Sequence, residues 1–163
     1  MTESDKQAPP LDVDEQQTWY ALAHLMARLP AALDRQMQRD GGISQFDYMT
    51  MSALSEMRGR RLRLSELARL TGSALSRLSN AMTRLERRGW VVRQVDPGDG
   101  RYTLAVLTDA GMAKVDALAP SHVAEVRRVV LDPLTAQQQR VVREAARRII
   151  AAADEAGDER SGR

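Results

Sequence analysis

The chain has 163 residues, 43% of them hydrophobic, no cysteine, two histidines and a formal net charge of +2. That suffices for one folded domain with its own core; it excludes disulfides and thiol chemistry, and His24 and His122 are too few and too far apart for a zinc site of His/Cys type. No apolar run reaches the roughly 18 residues of a membrane span, and the N-terminus is acidic where a signal peptide would be basic and then apolar, so a cytoplasmic protein without a membrane partner is expected.

Residues 1–14, with Pro9, Pro10 and many polar groups, read as a flexible acidic arm. From Trp19 the apolar residues Trp19, Leu22, Met26, Leu29, Leu33 and Met37 recur at steps of three and four, which predicts a helix over about 15–40. Pro30 should kink or split it, and Gly41 with Gly42 should end it. Ser44 with Asp47 predicts the start of another helix, continued by Phe46, Met49, Ala53, Leu54 and Met57. "RGRRLR" at 58–63 reads as a basic connection. Two short helices follow, "SELARL" from Ser65 and "SALSRLSNAMTRLERRG" from Ser73, each opening on a serine placed to cap it. Their apolar sides are Leu64, Leu67 and Leu70, then Leu75, Leu78, Ala81, Met82 and Leu85. "WVVRQV" and "YTLAVL" flank "DPGDGR" and predict a β-hairpin turning at Pro97–Gly100. Thr108 and Asp109 open a helix through Val115 and Leu118 to Val130, with Pro120 as a break or kink. Thr135 and Gln138 form a capping box for a last helix with the stripe Val141, Val142, Ala145, Ile149 and Ala152. A polar tail occupies 154–163.

Function is carried by the middle. From Arg58 to Arg101 there are eleven Arg against Glu66, Glu86, Asp96 and Asp99, a local charge of +7. Such a segment favours a polyanionic partner, although an ordinary solvated face would carry the same charge. Two short helices joined only by Thr71 and Gly72 must cross steeply, which is the helix-turn-helix arrangement. The second helix turns outward Ser73, Ser76, Arg77, Asn80, Thr83 and Arg84, short hydrogen-bonding groups interleaved with Arg, as a DNA major groove requires. The hairpin beside it makes this a winged helix-turn-helix with Arg101 at the wing tip, suited to a narrow minor groove. Asp96 and Asp99 would hold the wing's shape by accepting from its amides, or from Arg101 and Arg93. A hairpin that only covers the core is the alternative.

"RLERRGWVVRQVDPGDGRYTLAVLTDAG" resembles the MarR family of bacterial winged-helix regulators. The resemblance rests on Arg84, Leu85, Glu86, Arg88 and Gly89, then Asp99 and Arg101 in the wing, then Leu107, Thr108 and Gly111, and it extends over roughly 15–152. It implies a mainly α fold with a small β-hairpin wing, a winged helix-turn-helix at 41–112 flanked by dimerisation helices at 15–40 and 113–153. It further implies a homodimer with interlocked terminal helices on a pseudo-palindromic operator of double-stranded DNA, usually as a repressor. The apolar stripes of those helices, joined by Val123, Val126, Val129 and Leu131, suit a dimer seam or an intramolecular bundle. The resemblance implies release by a small aromatic or anionic ligand, for which Trp19, His24, Arg28 and Tyr48 are the candidate lining residues; a Trp and a Tyr at such spacing equally suit a core. No cofactor and no metal are expected. The motifs of serine hydrolases, P-loops, zinc proteases and dinucleotide enzymes are absent, so no catalysis is expected. The competing reading is a basic protein-interaction or RNA-binding module without sequence readout, where a base-reading helix face would be wasted on duplex RNA.

Overall fold

The computed structural model describes residues 9–161, and the side chains of 9–157. Of the flexible acidic arm expected at 1–14, residues 1–8 lie outside the described residues, and its end is corrected, since Val13 and Asp14 are already helical. Among the described residues, the helices are α1 (Val13–Gly41), α2 (Gln45–Ser55), α3 (Leu64–Leu70), α4 (Leu75–Arg87), α5 (Asp109–Val126) and α6 (Ala136–Ser161). The strands are β1 (Arg61–Arg63), β2 (Val91–Val95) and β3 (Thr103–Leu107). None of the described helices is long and apolar enough to cross a membrane. The fold is mainly α with a winged helix-turn-helix in the middle of the chain, as expected.

The chain divides into two compact units, one running to Leu118 and one from Ala119. The first holds the core: Met37 of α1, Met51 and Leu54 of α2, Leu67 of α3, Leu78, Met82 and Leu85 of α4, Val91 and Ala105 of the sheet, and Val115 and Leu118 of α5 are all buried. The sheet is antiparallel in the order β1-β3-β2, with Val92 opposite Val106 and Leu62 opposite Ala105. The second unit contains the end of α5, a π-helical turn at Arg127–Leu131, and α6.

Several local expectations are corrected. α1 begins at a capping box between Asp12 and Glu15 and runs through Pro30 unbroken. Pro30 is exposed and costs the helix only the one hydrogen bond to the Met26 carbonyl, so the chain is not split there. Pro120 likewise sits inside α5. "RGRRLR" is not only a connection: after a turn at Gly59 and Arg60, Arg61–Arg63 add a third strand to the free edge of β3. Three residues are too few to show an alternating pattern. Neither Ser65 nor Ser73 caps a helix; those positions are held by Arg63 and Ala74, without a side-chain cap bond. The last helix passes the predicted tail and continues to Ser161. Ser44 and the Thr135–Gln138 box cap as predicted.

Candidate nucleic-acid interface

Two hinges of the sequence explain how α4 and the wing are joined. α4 ends in a Schellman turn: the Gly89 amide donates to the Glu86 carbonyl and the Trp90 amide to that of Leu85, with Gly89 at φ +72°. The chain then passes directly into β2. At the return of the hairpin, Thr108 donates to the carbonyls of Gly89 and Trp90 and accepts from the Gly111 amide, which starts α5. Gly111 has no room for a side chain, since a Cβ there would lie 2.1 Å from the Trp90 carbonyl oxygen. The spacing Leu107-Thr108-x-x-Gly111 thus stitches the start of α5 to the end of α4.

Around its axis α4 shows four stripes, because residues three and four apart share a side. Leu78, Ala81, Met82 and Leu85 are buried. Ser76, Asn80 and Arg87 lie opposite them and are exposed. On one flank Arg77 stacks over the Phe46 ring, 4.3 Å from its centroid, and Arg84 grips Asp47 through two bonds of 2.7 and 3.3 Å. Arg88 adds a bond to the Gly42 carbonyl. This flank fastens α4 to α2 and to the end of α1. On the other flank Glu86 accepts from the backbone amide and guanidinium of Arg93, whose Nη2 also donates to the Ser79 carbonyl, fastening α4 to β2.

The wing is held by its own carboxylates, as its sequence suggests. Asp99 accepts from the Arg101 amide, Nε and Nη2, and the Arg101 side chain remains 82% exposed. Asp96 accepts from the Gly98 amide at 2.9 Å and from Arg63 Nε at 2.8 Å. Arg63 also stacks over Tyr102, 4.2 Å from the centroid. These bonds hold both carboxyls below the usual range, Asp96 through the Gly98 amide and then Arg63, Asp99 chiefly through Arg101.

The predicted recognition residues are therefore placed on different sides. Ser76 and Asn80 are fully outward; Arg77 is exposed but leans on Phe46. Arg84 is exposed yet engaged by Asp47, and Thr83 donates to the Ser79 carbonyl while meeting Arg93. Ser73 precedes α4, half-buried against Thr71, with the two hydroxyls 3.0 Å apart. Arg93 does not meet the wing's aspartates; it meets Glu86. Sequence reasoning missed Arg87, seven residues beyond Asn80 on the outward stripe, and Arg63, which anchors the wing. The predicted apolar sides also lose two members, since Leu70 and Leu75 are each 55% exposed.

The four candidate ligand residues fall in different surroundings. Trp19, half exposed, lines an open groove with Leu11, Asp14, Glu15, Thr18 and Leu22. His24 and Arg28 are exposed. Tyr48 is buried in the core, and burial, with Asp116 nearby, pushes its phenol up.

A sequence-family model described as the MarR family matches residues 42–101. The structure is similar to that of Sco3205, a MarR family transcriptional regulator from Streptomyces coelicolor solved in complex with DNA, at 38% identity and a TM-score of 0.86, covering 91% of this chain and 92% of that one. AbsC, another MarR family transcriptional regulator of Streptomyces coelicolor, is 32% identical with a TM-score of 0.84, covering 91% and 99%. The PcaV transcriptional regulator of Streptomyces coelicolor, solved with its natural ligand, is 28% identical with a TM-score of 0.70, covering 90% and 99%. No curated protein sequence matches the chain.

Proposed function

This chain belongs to the MarR family of transcriptional regulators, and from that premise we propose that it acts in the cytoplasm as a homodimer on a pseudo-palindromic DNA operator, as a repressor. The observation that carries the reading is the pairing of an outward Ser76–Asn80–Arg87 stripe with an exposed Arg101 on one stiffened unit. Amide and guanidinium groups on a helix pair with base edges, while a basic tip attracts phosphate or a narrow minor groove. Ser76, Asn80 and Arg87 are the base-facing residues of this reading, with the exposed Arg77 beside them, leaning on Phe46. Arg84 and Thr83 support the helix from its flanks, Ser73 the turn before it, and Asp99 sets the wing arginine. The winged unit at 41–112 is the reading head.

Support for the dimer comes from apolar surface that the chain leaves uncovered. Trp19, Tyr20, Leu25 and Met26 on α1, Val123, and Val141, Val142, Ile149 and Ile150 on α6 are all about half exposed. Large apolar groups left in water along both terminal helices are what an uncovered protein interface presents. The helices at 15–40 and 113–153 are therefore assigned to the seam between two copies. A ligand that releases DNA is suggested by PcaV, solved with its natural ligand. The groove at the half-exposed Trp19 is the place on this chain to seek an aromatic or anionic one; His24 and Arg28 lie further along the same helix and do not line it. Tyr48 would join only if the core opened.

Competition binding tests the reading. A duplex recovered by selection from genomic fragments should outcompete bulk DNA by about 10³-fold or more at physiological salt. Equal competition by bulk DNA would reduce the protein to a basic binding module.

A further inference from the structure

We infer that Leu75, the first residue of α4, reads a thymine methyl group and so sets part of the operator sequence; this rests on the DNA-binding reading above. A lone exposed leucine is ordinary on a protein surface. What separates Leu75 from that case is its place. The residue is 55% exposed although its spacing from Leu78, Met82 and Leu85 would put it at the core's margin. Helical side chains lean toward the helix N-terminus, so the first one projects beyond the core that its successors enter. It projects into a cleft shared with Ser65 of α3, Ser79 of α4, and Arg101, Tyr102 and Thr103 of the wing.

That cleft lies where a duplex held by both α4 and the wing would run. The N-terminal residues of a recognition helix are the ones that reach base edges in the major groove. Its neighbours Ser76, Ser79 and Asn80 can satisfy polar edges, whereas the hydrophobic branch of Leu75 matches only one feature of that groove, the C5-methyl of thymine. Arg101 at the rim supplies the charge that would hold a phosphate strand against the cleft while the leucine is desolvated.

The test uses the full-length protein and a selected operator duplex in which each thymine is replaced in turn by deoxyuridine, removing one methyl and no hydrogen bond. At one thymine per half-site the replacement should weaken wild-type binding about fourfold, the worth of one buried methyl-sized group. Leu75→Ala should bind the thymine and uracil duplexes equally, and Leu75→Met, which keeps the apolar group, should retain a preference for thymine. Alanine is a good residue for an exposed helix position, so the variant keeps its fold. If wild-type protein prefers the operator over bulk DNA but no uracil replacement matters, or if Leu75→Ala keeps the methyl preference, the inference fails while the DNA-binding reading stands. If wild-type protein shows no preference for the operator at all, both fail.

Discussion

Arg101 is held by Asp99 through two guanidinium nitrogens and still faces solvent, which fixes its direction without spending its charge on a buried partner. Arg101→Ala should therefore weaken operator binding and make the salt dependence shallower by about one unit per half-site, as the loss of one electrostatic contact requires; an unchanged slope in a salt titration would remove the wing from the interface. Asn80 differs in kind. Asn80→Ala should cost about 1–3 kcal/mol only at particular base pairs, so uniform weakening across operator variants would deny it a base-reading role. The wing carboxylates make a third test. Both are stabilised as anions in the fold, so they contribute above the unfolded carboxylate pKa and their contribution is lost as pH falls through the lower folded value. Carboxyl resonances of Asp96 and Asp99 should titrate below about 3.9, and midpoints at or above that value would contradict the bonding described.

α4 is the element whose setting matters most, and its fastening was only partly legible. Helical periodicity identified the buried stripe from Leu78 to Leu85, since burial alone imposes that spacing. The same periodicity could not say that Arg84 would turn to Asp47, 37 residues earlier, because that pairing depends on how α2 packs. Removing Arg84 would strand a carboxylate that is only 9% exposed. Arg84→Met should cost about 1–3 kcal/mol in denaturant unfolding, and the double variant with Asp47→Leu should cost less than the sum of the two singles; strict additivity would deny the coupling. Gly111 was legible as a motif but not as a cause, which is the approach of Trp90. Gly111→Ala should destabilise the protein by about 1–3 kcal/mol, as an overpacked contact does. β1 escaped notice because three residues carry no period, and Leu75 because periodicity does not mark where a core stops.

At the scale of the whole molecule, the order of helices and the wing were readable because each has a local signal, caps at Ser44 and Thr135 or the turn at Pro97–Gly100. The ligand candidates were not, since no local pattern distinguishes the buried Tyr48 from the half-exposed Trp19. In the proposed dimer, a second copy would cover the apolar residues exposed on the two terminal helices. Ile149→Asp combined with Val142→Asp should therefore shift the sedimenting species from twice the 18.1 kDa chain mass toward one, with operator affinity falling alongside. The claim on which all of this depends, that two winged units read DNA as a symmetric pair, is tested most directly by selecting bound fragments from genomic DNA and aligning them. A symmetric pair of winged units should recover an inverted repeat whose half-site centres lie about 10–10.5 base pairs apart. Recovered fragments that share no motif, or a motif without two-fold symmetry, would contradict it.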